Sequence, residues 1–222
     1  MEDQTLIADL AGVRVRRIVV SAMANNTYLV TNRRDGAQLL IDAAAEPDAI
    51  AGLLAVAARD ASAPTNLRMI LTTHAHRDHL GALGALSRAH PDAVTLAGEA
   101  DADVITRQTG VVIDRRLTQG DQLDLGGLQL ATVALRGHTP GSVAVVYAEA
   151  GRPSLLFSGD SLFPGGVGRT QHRQDFDLLF GDVVERIFEM YPDDTEILPG
   201  HGLPTTLGRE RPHLAEWAAR GW

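Results

Sequence analysis

The chain has 222 residues, 45% hydrophobic and 22% charged, the balance of an ordinary globular protein with enough length to bury two layers of core in one domain, 1–222. Its net charge of −8 argues against a nucleic-acid partner, which selects for a basic stripe, and the lack of any cysteine excludes disulfides, thiolate ligands and cluster chemistry. The acidic start "MEDQTLIADL" has no secretory signal pattern and no apolar run is long enough to cross a bilayer, so the expected setting is cytoplasmic, without a membrane partner.

In chain order, "VRVRRIVV" (13–20), "TYLVT" (27–31) and "QLLID" (38–42) read as strands separated by turns. Glu46-Pro47 opens an alanine-rich helix to about residue 59, because proline suits the first helical turn. "LRMILTT" (67–73) is a nearly continuous apolar run, the pattern of a strand covered on both faces. "HLGALGALSRAH" (79–90) has helical spacing and stops before Pro91. Next come the strand "VTLAG", a short helix near 99–108 and a strand-rich block to residue 160. A helix at about 175–190, the strand "TEILPG" and a helix near 209–220 follow. Strands in two groups, each followed by helices, predict two sheets face to face with helices outside: an α/β, four-layer αββα sandwich.

One stretch calls for chemistry. "THAHRDH" (73–79) gathers three of the chain's eight histidines and an aspartate, and no folding pressure concentrates imidazoles that way. In extended chain His74 and His76 project to one side and can reach one metal ion. A turn into the following helix swings Asp78 and His79 toward a second position, and these donors suit zinc as well as iron or manganese. His138 in "RGHTPGS", Asp160 after "SLLFSG" and His201 in "ILPGHG" each stand at a strand end beside glycine, where backbone can approach closely. Together they supply the donors that two ions would still need.

Other residues have plainer explanations. All 20 basic residues are arginine, a pattern better explained by codon bias than by phosphate binding. His90 before Pro91 suits a helix end. His213 and Trp217, four apart, suggest packing. "GGVG" lacks the lysine and following helix of a phosphate loop.

With these residues in place, the chain resembles the metallo-β-lactamase fold superfamily, and within it the short, single-domain glyoxalase II-type hydrolases. "LLID", "THAHRDH", "GHTPGS", "GDSLFPGGVGRT" and "PGHG" carry the likeness. The resemblance implies two divalent ions, with zinc expected and iron or manganese as alternatives. His74, His76 and His138 would hold the first, Asp78, His79 and His201 the second, and Asp160 would bridge them. Asp42 would orient the loop or a ligand histidine. Arg169 and His172 are candidates for the substrate side, Arg169 being equally compatible with a structural ion pair.

The implied substrate is a small molecule, a thioester of a small acyl group and a low-molecular-weight thiol. A hydroxide bridging the ions, with Asp78 as the catalytic carboxylate beside it, would attack the carbonyl and expel a thiolate. Where such hydrolases often have Pro-Gly after the "LID" strand, this chain has Ala43-Ala44. Where they carry an Asp-Phe pair after "GGVGRT", it has Gln171-His172. Competing readings are a persulfide dioxygenase with one iron at or near the His74, His76 and Asp160 positions, a lactonase, and a metal-containing binding module without catalysis. His79, the missing cysteine and the missing signal speak against a β-lactamase, and the acidic charge against a nuclease. The sequence carries no signal for oligomeric state.

Overall fold

In the computed structural model, which describes residues 5–221, the first sheet grows in chain order. β1 (Leu6–Asp9), β2 (Val13–Val20), β3 (Asn25–Asn32) and β4 (Ala37–Ile41) form an antiparallel meander. α1 (Pro47–Ala57) returns the chain so that β5 (Asn66–Thr72) lies parallel to β4. α2 (Leu83–Ala89), β6 (Val94–Gly98), α3 (Glu99–Thr109) and β7 (Arg115–Leu117) then extend the sheet in parallel fashion.

The second sheet repeats the plan. β8 (Gln122–Leu125), β9 (Leu128–Ala134), β10 (Val143–Tyr147) and β11 (Leu155–Gly159) are antiparallel neighbours. The chain then makes a small hairpin, β12 (Leu162–Phe163) and β13 (Gly166–Val167), and α4 (Arg173–Val183), which continues as a π-helical segment over Val184–Phe188. β14 (Glu196–Pro199) enters parallel to β11, and β15 (Thr205–Thr206) closes that edge. α5 (Leu207–Glu210) and α6 (Leu214–Arg220) follow.

Alternation along the buried strands decides the layering. In β4, Leu39 and Ile41 face the opposite sheet, where they join Val145, Phe157 and Leu198 in the central core. Leu40 between them faces outward onto Ile50 of α1, Leu83 of α2 and Ile105 of α3. Leu156 and Ile197 of the second sheet likewise face Phe176, Leu179 and Trp217. Three apolar interfaces require four layers, so the expected αββα sandwich is the observed one.

Element ends moved where tertiary contacts compete. The helix expected over 79–90 starts at Leu83, because the backbone N–H groups of Gly81 and Ala82 bond to Ala44 O (2.8 Å) and Ala43 O (2.9 Å) instead of to the preceding turn. The last helix is divided by a 3-10 turn over Arg211–His213 that contains Pro212. β1 was not legible in sequence; it is short, and only partly covered. Trp217 packs in the outer core as expected, whereas His213 is exposed beside Glu216. His90 is the C-cap residue of α2. "GGVG" runs from the end of the β12–β13 turn through β13. No helix among the described residues is long and apolar enough to cross a membrane.

Candidate metal centre

Two pairs of parallel strands, one in each sheet, end at one rim, and their ends carry chemistry. Asp42 follows β4, His74 follows β5, Asp160 follows β11, and Gly200-His201 follow β14. His138 joins them from the β9–β10 loop. After His74 and His76 the chain closes into a 3-10 turn over Arg77–His79, which brings Asp78 and His79 round to the neighbouring position. The donor atoms fall into three groups, each within 4.8 Å: His74–His76–His138, Asp78–His79–His201, and His74–His79–Asp160. The last connects the other two. Among the described residues the trio His74, His76 and Asp160 is not one of these groups; Asp160 joins His74 together with His79.

The spacings suit a small ion. Donors about 2.0–2.1 Å from a tetrahedral zinc lie roughly 3.3 Å from one another. Here His74 Nε2 is 3.0 Å from His76 Nδ1, and His79 Nε2 is 3.3 Å from His201 Nε2. Asp78 Oδ2 lies 3.4 Å from His79 Nε2 and 3.3 Å from His201 Nε2. Asp160 reaches His79 at 3.5 Å, His201 at 3.5 Å and His138 at 3.8 Å, so one carboxylate touches both groups.

Outer partners fix which ring nitrogen faces inward. His138 Nδ1 donates to Arg169 O (2.7 Å), His201 Nδ1 to Met23 O (2.9 Å) and His79 Nδ1 to Asp42 Oδ2 (2.8 Å). Each leaves Nε2 free toward the centre. Thr73 Oγ1 donates to Asp42 Oδ2 (2.8 Å) and so accepts from His74 Nδ1 at 3.0 Å. His138 Nε2 and Asp160 Oδ1 are buried without a hydrogen-bond partner, a costly state that cations bound in their respective donor groups would relieve.

Electrostatics points the same way. Burial and the surrounding imidazoles push His74 well below the ordinary histidine range. Burial also opposes charge on His79, but Asp42 and Asp160 outweigh it and raise its pKa to about 10. Burial lifts Asp78, yet the hydrogen bond from Asn25 and the nearby His79 and His201 hold it below the usual carboxylate value. A pocket that holds Asp78 below its usual value and draws a proton onto the buried His79 is one that seeks positive charge. The donor set fits divalent metal.

Two backbone devices make the approach possible. A Cβ on Gly200 would collide with Asp160 Oδ1 and lie 2.9 Å from His79 Cε1. Asp42 adopts a left-handed backbone (φ 58°), a conformation aspartate tolerates better than most residues. Its carboxylate then accepts from the Thr73 N–H (2.8 Å) while reaching His79.

Sequence reading missed two residues. Asp101 on α3 is buried, and its carboxylate accepts from Ala75 N–H (2.9 Å), Thr139 Oγ1 (2.5 Å) and Gly141 N–H (2.8 Å). It therefore ties the His74–His76 loop to the His138 loop. Asn25 on β3 donates to Asp78 Oδ2 at 2.8 Å and lies 3.3 Å from His201 Nε2. Nothing in either residue's local sequence marks it, although the helical phase of Asp101 with buried Ala102 and Ile105 would have placed it inward. Arg169 and His172 are exposed, and with Gln171 they line a cavity of about 500 Å³ that opens onto His76 and His138. Among the described residues Arg169 makes no ion pair, which removes the structural explanation for it.

The family pattern described as "Metallo-beta-lactamase superfamily" matches residues 20–207. The chain is 32% identical over 160 residues to hydroxyacylglutathione hydrolase GloC of Haemophilus influenzae, covering 66% of this chain and 74% of that one. It is also 32% identical over 196 residues to the mitochondrial persulfide dioxygenase ETHE1 of Homo sapiens, covering 86% and 69%. The solved structure of BLEG-1 B3 metallo-beta-lactamase superposes with a TM-score of 0.71 at 28% identity, over 90% of this chain and 97% of that one.

Proposed function

Because the chain belongs to the metallo-beta-lactamase superfamily, we propose that it is a two-metal hydrolase that cleaves a thioester of a small acyl group and a low-molecular-weight thiol. The observation that carries this reading is the pair of donor groups joined through Asp160. His74, His76 and His138 would hold one ion and Asp78, His79 and His201 the other, with zinc the expected metal. When bound, two such ions supply Lewis acidity to both the attacking water and the scissile carbonyl.

The remaining work falls to the chain itself. Asn25 keeps Asp78 anionic and turned toward the centre by donating to Oδ2, the oxygen that faces His79 and His201, and the Asp78 carboxylate would receive the proton of the attacking water. Asp42 holds His79 in the tautomer whose Nε2 faces inward. The cavity beside His76 and His138 admits the acyl thioester, with Arg169 and His172 on its substrate side. A thiolate leaves readily, so no general acid is required. Neither is a protein nucleophile.

The persulfide dioxygenase reading draws on equal identity over a longer share of the chain. Metal analysis combined with two assays separates them. Wild-type protein is expected to carry close to two ions, to cleave thioesters without oxygen, and to show no persulfide-dependent oxygen uptake. His201→Ala should lose one ion and most of the thioesterase rate. Iron at one per chain, rapid oxygen uptake with a thiol persulfide and no thioester cleavage would overturn the proposal.

A further inference from the structure

Outside the metal centre, a groove of about 720 Å³ lies between α2 and α3. Three arginines line it, Arg77, Arg88 and Arg107, and no aspartate or glutamate does among the described residues. None of the three makes an ion pair there, although the chain is acidic overall. Among the described residues some arginines elsewhere form ion pairs with acids, Arg16 with Asp60, Arg116 with Asp103, Arg136 with Asp182 and Arg211 with Asp193, while others such as Arg68, Arg152 and Arg169 do not; what sets these three apart is that they converge on one groove. Arg88 and Arg107 stand in the last turns of their helices, where a cation is favoured on its own account. That preference does not explain Arg77, nor why all three share one groove without a counter-charge.

The groove is also directed. Arg88 folds back along α2, its Nη1 lying 3.4 Å from where a Cβ on Gly84 would sit, so the guanidinium points toward the end of the helix that follows the metal loop. Arg77 stands between His76 and Asp78 in the chain, one Cα step of about 3.8 Å from each. Gln108, in the opposite wall, donates to Ala75 O at 2.9 Å and joins α3 to the same loop. The groove is thus tied through Arg77 and Gln108 to the loop that carries His74, His76 and Asp78. Guanidinium groups are the side chains best suited to forked recognition of carboxylate or phosphate oxygens.

We propose that the α2–α3 groove is an anion site whose three arginines receive the carboxylate or phosphate groups of the substrate's thiol carrier. The carrier assignment rests on the thioester reading; the anion site does not. The test compares wild type with Arg88→Ala/Arg107→Ala, and with Arg68→Ala/Arg152→Ala, which removes two exposed charges outside the groove. Inorganic pyrophosphate is titrated calorimetrically into each metal-loaded protein, so that any binding at the metals is common to all three. The groove variant should bind at least tenfold more weakly than wild type, and the control within twofold; equal binding by all three, or equal loss in both variants, overturns the site. In the second arm, thioesters of an anionic and of an uncharged thiol are compared. The groove variant should lose at least tenfold of its preference for the anionic carrier, through KM. Preference retained alongside weakened pyrophosphate binding overturns the carrier assignment and leaves a site for a separate anion. Thioesters inert to wild type would sink the functional reading and the carrier with it, while the titration still decides the groove.

Discussion

Asp101 shows how much of a metal centre can depend on a residue that touches no metal. Its carboxylate gathers donors from both loops that present His74, His76 and His138. Asp101→Ala leaves those buried donors unanswered, which should lower stability by about 2–4 kcal/mol. It should also weaken the first ion roughly ten- to hundredfold, the usual effect of losing an outer support. Thermal melts and metal retention through dialysis measure the two effects; full metal retention in a folded variant would deny Asp101 its positioning role. The sequence hid this residue because acidic side chains near a helix start are ordinarily read as dipole partners, and Glu99 and Asp103 in the same stretch are exposed. Histidines are scarce enough to announce themselves. A single aspartate among 28 acidic residues is not.

Among the elements, β3 ties the first sheet to the loop bearing His201. Asn26 Nδ2 donates to Pro199 O (2.8 Å) and Gly202 O (3.0 Å), and Tyr28 Oη donates to Pro199 O (2.7 Å). Asn26→Ala should cost about 1–2 kcal/mol and release the Asp78–His79–His201 ion faster than the other, as a chelator time course would show. Equal release of both ions would mean that β3 does not steady that loop. A second element contact sets overall stability. The Arg16 guanidinium on β2 grips Asp60 beyond α1 at 2.5 and 2.6 Å, both side chains buried. Asp60→Ala strands that charge and should destabilise the fold by about 3–5 kcal/mol in denaturant titrations. Periodicity made the buried strands and most helices legible. It failed where backbone bonded outside its own element, as at Gly81 and Ala82, and at the π-helical segment after α4, which no residue pattern announces.

Over the whole molecule, the two sheets are joined by main-chain hydrogen bonds at the rim, Val143 N–H to Thr73 O (2.9 Å) and Asn26 N–H to Gly200 O (2.7 Å). Glu149, after β10, makes another tie by accepting from Gly12 N–H (2.8 Å) and Ala11 N–H (3.1 Å) of the β1–β2 turn and from Tyr147 Oη (2.8 Å). The Gly12 bond leads in holding its pKa below the ordinary 4.5, helped by Tyr147 and Ala11 against some burial. A carboxylate depressed in the folded state stabilises above its unfolded pKa, and that contribution disappears as pH falls through the folded value. Wild type and Glu149→Gln should therefore differ in melting temperature near neutrality and converge on acidification below about pH 4. A constant difference across that range would exclude Glu149 as the source.

The order of the strands also gives the protein a timetable. His74, His76 and His138 have all left the ribosome well before the chain is finished, so the three-histidine cradle can close on β5 and the β9–β10 loop early. The other cradle waits for His201, carried by a strand that must slide in beside β11 and is then hemmed by β15. During synthesis one donor group can thus be complete while its neighbour still lacks His201. Asp160, made between these two moments, meets the three-histidine group first and the Asp78–His79–His201 group only once His201 is in place, so the order of assembly follows the direction of translation.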